Sequence, residues 1–225
     1  MIVKFFDYIQ NGTFSIPITN NGVTREIVAV GPVNGDGASV YGMELAYQRY
    51  FNFLPAPFDG LGVQMNYTHV WNSGVKNTNL VVETNPDGGG TATALSAQPG
   101  RINPGKLEQL SDDAFNAVLL YEKGPVGLRV AYNWRSRYLD SVNDCCLGFP
   151  VWHTSEGFLD SSIRFALTRR VEFNIQGSNL LGTKIRTEAQ VRGPTDEDPN
   201  QKSLFLPGSI FETDRRILAG VRFKL

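Results

Sequence analysis

Apolar and polar residues alternate with a period of two along most of this chain, while the apolar spacing typical of a helix is nearly absent. The stretch 126–138 shows the alternation most clearly. Its apolar set contains Val126, Leu128, Val130, Tyr132 and Trp134, and its alternate set contains Gly127, Arg129, Ala131, Asn133 and Arg135. Because successive side chains of a strand point to opposite sides, the stretch predicts a strand with one apolar and one polar face.

The same alternation predicts eight strands. They span 2–9, 39–51, 61–72, 114–122, 126–138, 158–167, 171–180 and 212–225. Most reach or exceed the roughly 9 to 11 residues that a tilted strand needs to cross a bilayer, against roughly 5 to 6 for a soluble strand. We therefore expect an all-β fold, an antiparallel up-and-down transmembrane β-barrel segment of about eight strands, with 1–225 as one domain.

Long and short connections alternate between these strands. The long ones cover 10–38, 73–113, 139–157 and 181–211, and the short ones cover 52–60, 123–125 and 168–170. Outer-membrane barrels have short periplasmic turns and longer extracellular loops, so alternation is what such a barrel predicts. The long connections are rich in turn-forming pairs such as Asn21-Gly22, which predicts exposed loops.

Composition narrows the choice of partners. Charged residues make up 19% of the chain and the formal net charge is -1, so nothing in the composition suggests the strongly basic face of a nucleic-acid-binding protein. No run of 18 apolar residues exists, so the sequence predicts no transmembrane helix. A soluble β-sandwich or a lipocalin-like barrel also has alternating strands and is the alternative fold, although it explains the aromatic faces and the long loops poorly.

Three segments resemble one family. Residues 215–225 contain Gly-Val-Arg-Phe, similar to the closing strand of TonB-dependent outer-membrane receptors, and 177–183 read Gly-Ser-Asn-Leu-Leu-Gly-Thr, similar to the Asn-Leu element of their penultimate strand. Upstream, 40–48 resemble a Tyr-Gly-x-Glu-Leu strand that follows an Asn-Gly loop. The resemblance implies the carboxy-terminal part of a receptor barrel in the outer membrane of a Gram-negative bacterium. It would take up an oligosaccharide or a metal chelate, and a passive pore or structural barrel is the alternative.

The resemblance also implies partners. They are outer-membrane lipid, the receptor's own plug domain, the TonB energy-transducing complex, the barrel-assembly machinery and a small-molecule ligand. No signal sequence, TonB box or plug is recognisable in 1–225, so we expect a fragment of such a receptor. The family usually ends in Phe, which the assembly machinery reads, whereas this chain ends in Leu225, and Phe223 on the same face is expected to substitute in part.

Catalytic chemistry has little support in the sequence. The chain has two histidines, His69 and His153, and none of the common hydrolase or phosphate-binding motifs. His153 could combine with Asp160 or Ser155, but ordinary loop residues are the better interpretation. We expect no enzyme, no cofactor and no metal.

Candidate ligand-binding residues lie in or beside the predicted loop 139–157. They are Trp152, His153 and Arg135, with Trp152 offering a flat surface to a sugar ring or a planar chelate, or else anchoring the loop at the membrane surface. The adjacent Cys145 and Cys146 suggest a disulfide that staples the loop, with metal binding as the weaker alternative.

Overall fold

The computed structural model describes residues 2–5, 9–34, 37–75, 102–142, 149–195 and 197–223, and the architecture there is all-β. In chain order the strands are β1 (Ile2–Phe5), β2 (Ile9–Asn20), β3 (Val23–Asn34), β4 (Ala38–Tyr50), β5 (Leu61–Ser73), β6 (Asp113–Lys123), β7 (Val126–Arg135), β8 (Tyr138–Ser141), β9 (Val151–His153), β10 (Glu156–Ala166), β11 (Val171–Ser178), β12 (Lys184–Arg192), β13 (Leu204–Glu212) and β14 (Arg216–Phe223). A short 3₁₀-helix spans Phe58–Gly60. Within the described ranges, no helix has the length and apolar character that crossing a membrane requires.

Eight strands form one antiparallel sheet, which we call the large sheet. Their order is β1-β4-β5-β6-β7-β10-β11-β14, so the chain runs up and down between neighbouring strands. Three of the connections are short, at 51–60, 124–125 and 167–170, and four are long, at 6–37, 74–112, 136–155 and 179–215. The short connections therefore lie at one end of the large sheet and the long connections at the other.

The count of about eight strands is wrong for the chain, because the long connections contain six further strands. β2 and β3 form a separate hairpin, and the remaining four form a second sheet in the order β13-β12-β9-β8, which we call the loop sheet. The eight predicted strands correspond to those of the large sheet with shifted ends. The all-β, antiparallel part of the prediction is confirmed.

Two local features explain the extra strands. Asn21 and Gly22, expected in an irregular loop, form the turn of the β2–β3 hairpin, and both have the positive φ (52° and 76°) that a type I′ turn requires. At the end of β7, the Ser136 N–H donates to the Asp113 carbonyl and the Ser136 Oγ accepts from the Asp113 N–H, both at 2.9 Å. These bonds end the ladder, so Tyr138 begins β8 in the loop sheet.

The register of the large sheet places apolar positions side by side. One row crosses six strands through Leu61, Tyr121, Leu128, Ile163, Ile175 and Ala219. The alternate positions carry most of the polar side chains. The large sheet thus has one apolar face and one polar face, as the alternation predicts.

The apolar face is not covered by any described part of the chain. Leu45 is 60% exposed, Leu119 is 45% exposed and Ile175 is 48% exposed. By contrast, half of the buried apolar side chains of the described residues, Tyr138, Leu139 and Val142, lie in or directly after β8. The packed core of the described chain is therefore at the long-connection end, around the loop sheet.

The described strands form an open sheet, and the closed barrel is not found. β1 pairs only with Ala38–Tyr41 of β4, and β14 pairs with β11. No described pairing joins β1 to β14.

Candidate ligand-binding site

The loop sheet joins two of the long connections. β8 and β9 come from the connection between β7 and β10, while β12 and β13 come from the connection between β11 and β14. β9 pairs with β12 at Thr187, Glu188 and Ala189, which fastens the two connections to each other. The structure thereby builds an ordered surface where the sequence predicts only loops.

Trp152 packs inside the loop sheet. Its Nε1–H donates to the Gln190 side-chain oxygen at 2.8 Å, and its ring meets Phe205 edge-on at 6.2 Å between ring centroids. The Arg137 guanidinium carbon lies 3.7 Å from the Phe205 ring centroid and 4.9 Å from that of Trp152. Through these contacts the Trp152 indole helps to hold the loop sheet together. Less of the indole ring is therefore left to contact a ligand.

Arg137 carries the charge of this cluster. Its Nη2 lies 2.9 Å from the Glu188 Oε2, while its buried Nε has no hydrogen-bond partner among the described residues. Burial lowers the pKa of the Arg137 guanidinium, and the Glu188 carboxylate opposes that shift. Glu188 and the two rings together keep a half-buried cation in place.

Arg135, Tyr138 and His153 form a stack that joins β7 to the loop sheet. The His153 ring lies flat on the Tyr138 ring at 4.8 Å and 10°, and the Arg135 guanidinium carbon is 3.7 Å from the Tyr138 centroid. Arg135 also donates through Nε to Ser111 Oγ at 2.8 Å and through Nη2 to the Gln109 carbonyl at 3.2 Å. Burial raises the pKa of the Tyr138 hydroxyl.

Segment 102–112 crosses this region and is tied to β8. The Gln109 N–H donates to the Leu139 carbonyl at 2.7 Å, and the Gln109 side chain donates to Asp140. Glu108 accepts a hydrogen bond from the Val142 N–H at 2.7 Å. Burial raises the pKa of Glu108, the bond from Val142 lowers it, and the charge of Asp140 raises it further.

An open cleft of about 410 Å³ lies beside this segment, on the polar face of the large sheet. Its lining includes Asn116, Asn133, Arg135, Glu156 and Phe158, with 109–111 forming one edge. The volume is within the range of roughly 300 to 1,000 Å³ found for small-molecule sites. We call it the polar cleft.

The polar face changes character toward the short connections. There a second concave region of about 370 Å³ is lined by charged side chains. Arg164 bridges two carboxylates, with its Nη2 3.5 Å from Glu122 and its Nη1 3.9 Å from Glu172. Arg164 and its two carboxylates therefore lie nearer the short connections than the polar cleft does.

Asn179 lies at the long-connection end of the large sheet, next to β14, and holds the chain in place there. It is 7% exposed with a φ of 49°, a left-handed conformation that Asn tolerates. Its Nδ2 donates to the Thr183 and Thr213 carbonyls at 3.2 and 2.7 Å, and its Oδ1 accepts from the Thr183 N–H at 2.9 Å. The Asn-Leu element quoted above thus forms a hydrogen-bonded clamp between the connections after β11 and β13.

The three candidate ligand-binding residues all lie at the long-connection end of the large sheet, but their surroundings differ. Arg135 lines the polar cleft, whereas Trp152 and His153 lie in the loop sheet. Whether each one binds a ligand stays a prediction. The carboxylate nearest to His153 in an ion-pair geometry is Asp140, at 3.7 Å, while Asp160 accepts from the Asn179 N–H.

The remaining predicted sites are the possible disulfide, the carboxy-terminal assembly signal and the expected absence of a metal. Cys145, Cys146 and Leu225 lie outside the described residues. Phe223 is the last residue of β14, pairs with Val171 and is 70% exposed on the apolar face. Within the described ranges, no three His, Cys, Asp or Glu side chains form a group that could hold a metal ion.

Sequence reasoning missed a row of three carboxamides on the polar face, of which Asn116 and Asn133 line the polar cleft. Asn66, Asn116 and Asn133 stand directly opposite one another on β5, β6 and β7. Each of them occupies a polar-face position in the alternation, which is visible in the sequence. Their alignment depends on the register between strands, and alternation alone does not give that register.

No protein-family model, no curated protein and no solved structure matches this chain.

Proposed function

We propose that this chain is part of an outer-membrane β-barrel that acts as a substrate-uptake receptor of the TonB-dependent kind. The observation that carries the proposal is the exposed apolar face of the large sheet. Burying one large apolar side chain is worth about 1.5 to 3 kcal/mol, so a face with many exposed ones needs an apolar environment. Lipid provides it, and soluble proteins rarely expose apolar patches larger than a few hundred Å².

The architecture supports the membrane rather than a soluble sandwich. A sandwich would cover the apolar face with a second sheet, and no described strand covers Leu45, Leu119 or Ile175. Each inner strand of the large sheet pairs on both sides, which satisfies its backbone polar groups as a bilayer demands. The alternation of short and long connections is that of a barrel with different solvents at its two ends.

The long-connection end of the large sheet has the features expected of a surface that captures a ligand. The loop sheet, segment 102–112 and the polar cleft all lie at that end, where the proposed orientation places the cell exterior. A packed loop sheet holds the walls of the cleft in place before a ligand arrives, which reduces the entropy lost on binding. The plug, the energy-transducing complex, the assembly machinery and the lipid of the outer membrane are partners within this proposal.

Fractionation of cells that make the chain with an export signal tests the membrane assignment. We expect the chain in the outer-membrane fraction, resistant to urea extraction and migrating differently on gels before and after heating. A chain that is soluble and monodisperse without detergent would contradict the proposal. Ligand uptake that stops when the inner-membrane proton gradient is collapsed would favour a receptor over a passive pore.

A further inference from the structure

We infer that a cluster of aromatic rings and one carboxylate on the apolar face of the large sheet binds the ammonium headgroup of a phospholipid. The inference rests on the proposed function, because it names the lipid that this face prefers. The cluster consists of Tyr41 on β4, Tyr67, His69 and Trp71 on β5, and Asp113 on β6. It lies at the long-connection end, where β4 and β6 begin and β5 ends. We call it the headgroup cluster.

Asp113 places a carboxylate on an otherwise apolar face. A charged side chain on the lipid-facing side of a barrel is unfavourable unless it lies near the membrane surface or has a partner. The Tyr67 hydroxyl donates to Asp113 Oδ1, and His69 Nδ1 bonds to the same oxygen, both at 2.6 Å. Hydrogen bonds to a carboxylate favour its charged form. Among the described residues nothing bonds to Asp113 Oδ2, so this oxygen can accept a bond from a ligand.

Two stacked aromatic rings lie beside this carboxylate. Tyr41 and Trp71 stack at 5.4 Å and 15°, and they are 43% and 39% exposed. The His69 ring meets Trp71 edge-on at 4.1 Å and also contacts Asp113, so the indole and the carboxylate flank one histidine. The face of an aromatic ring attracts cations, and tryptophan attracts them most strongly. A carboxylate next to such rings matches an ammonium group.

The other charges near the headgroup cluster do not favour an anion. Lys106 acts electrostatically on Asp113, but its Nζ lies 2.7 Å from both carboxylate oxygens of Asp112. The Lys106 charge is therefore balanced by Asp112. A headgroup whose only charge is its phosphate would meet a further carboxylate at Asp113, whereas an ammonium would meet an opposite charge.

The surface next to the headgroup cluster is suited to acyl chains. Toward the short connections, Leu45 pairs with Tyr67 and Tyr47 pairs with Met65 in the β4–β5 register. Leu45, Tyr47 and Met65 lie on the apolar face and are 60%, 46% and 37% exposed. A lipid whose ammonium contacts Asp113 and Trp71 would thus lay its chains along the part of the sheet that the proposed function places in hydrocarbon. Chain burial adds affinity for any lipid, and the headgroup cluster adds the preference.

Quenching of Trp71 by brominated lipids with two different headgroups tests the inference. A variant that retains only Trp71 is reconstituted in phosphatidylglycerol vesicles that contain equal small fractions of brominated phosphatidylethanolamine or brominated phosphatidylglycerol. We expect the ethanolamine lipid to be preferred at Trp71 by about threefold, the size of an exposed cation–π contact. A variant that retains only Trp134, which lies on the apolar face of β7 between Phe115 and Gly157, should show no preference.

Substitution of the carboxylate tests whether its charge causes the preference. Asp113→Asn retains an oxygen that accepts from Tyr67 and removes the charge, so the preference at Trp71 should disappear. Glu44→Gln is the matched control, because it removes a carboxylate from the polar face of β4 and should leave the preference unchanged. Migration on gels before and after heating shows whether each variant has folded. The comparison of Trp71 with Trp134 needs no substitution in the headgroup cluster, so it decides even if Asp113→Asn does not fold.

Three results would overturn the inference. They are equal quenching of Trp71 by the two lipids, the same preference at Trp134 as at Trp71, and a preference that survives Asp113→Asn in a folded variant. Equal quenching of both tryptophans by both lipids would still leave the membrane function standing. If neither lipid quenched Trp71 or Trp134, the membrane function would fail and the inference would fail with it.

Discussion

The large sheet and the loop sheet belong to the same chain but bury their apolar side chains in different ways. Leu139 in β8 of the loop sheet is fully buried, and Val142 directly after β8 is 2% exposed, so both are covered by the chain itself. In the large sheet, Leu119 and Ile175 lie on an apolar face that no described residue covers. The loop sheet thus buries apolar side chains around β8 but leaves Leu206 and Ile210 of β13 exposed at 49% and 57%, while the apolar face of the large sheet is exposed along its whole width among the described residues.

The loop sheet and the large sheet are therefore stabilised by different interactions. The loop sheet depends on internal packing, on the Trp152–Gln190 hydrogen bond and on the Arg137–Glu188 pair. The large sheet depends on backbone ladders and on whatever medium contacts its apolar face. Substitutions in one part should therefore have little effect on the other, and this independence can be tested.

The largest effect is expected from Leu139→Ala, because the side chain has 0% exposure and its removal leaves a cavity in the loop sheet. The free energy of local opening should fall by about 2 to 5 kcal/mol, measured by hydrogen exchange of β8, β9 and β12. Leu206→Ala, on β13 but 49% exposed, is the matched control and should change that free energy by less than about 0.5 kcal/mol. Equal effects of the two substitutions would refute a packed loop sheet.

Leu119→Arg should impair the large sheet and leave the loop sheet intact. Leu119 lies near the middle of β6 on the apolar face, and an arginine facing the bilayer midplane costs about 2 to 4 kcal/mol. The free energy of folding into lipid vesicles, from urea titration, measures this loss. Val118→Arg, one residue away on the polar face, should be tolerated. If Val118→Arg were the more damaging change, the two faces would be assigned the wrong way round.

Asn179→Ala should weaken the junction between the two parts. The substitution removes the donors to Thr183 and Thr213 and the acceptor for the Thr183 N–H, for a loss of about 1 to 3 kcal/mol. Faster hydrogen exchange in 179–183, with unchanged exchange in β4 and β5, is the expected result. Ser178→Ala, its exposed neighbour, is the control. Protection of 179–183 that survives the Asn179 substitution would argue against the clamp.

The smallest effect is a pH dependence that comes from Glu108. Burial raises its folded-state pKa above that of an ordinary glutamate, so the folded state binds the proton more tightly than the unfolded state does. Stability of the loop sheet should therefore fall as the pH rises from the unfolded pKa through the raised folded pKa. Glu108→Gln retains an acceptor for the Val142 N–H and should remove this part of the pH profile. A profile that Glu108→Gln leaves unchanged would assign the dependence to another group.

The strands of the large sheet could be predicted from the sequence, because each of them has its own alternation of apolar and polar residues. The set Val126 to Trp134 alternates so regularly that β7 and both of its faces follow directly. The extra strands were missed for local reasons. Asn21-Gly22 between alternating apolar residues is a hairpin signal rather than the mark of an irregular loop. The two hydrogen bonds of Ser136 that end β7 cannot be seen in the sequence.

The candidate site was harder to predict from the sequence, because its residues come from distant parts of the chain. Arg135 was singled out for its position on the polar face, but its contacts with Ser111 and Gln109 join segments 24 and 26 residues apart. Trp152 was expected at a surface, and its partner Gln190 is 38 residues away. Long-range pairing of this kind depends on how β9 meets β12, which local pattern does not specify.

Fluorescence quenching by lipids with brominated acyl chains tests the central claim, contact between the apolar face and lipid, most directly. Of the three tryptophans, Trp71 and Trp134 lie on the apolar face of the large sheet, and Trp152 lies in the loop sheet. In vesicles, a variant that retains only Trp71 or only Trp134 should be strongly quenched, and one that retains only Trp152 should not. Quenching of Trp152 alone, or equal quenching of all three, would contradict the account.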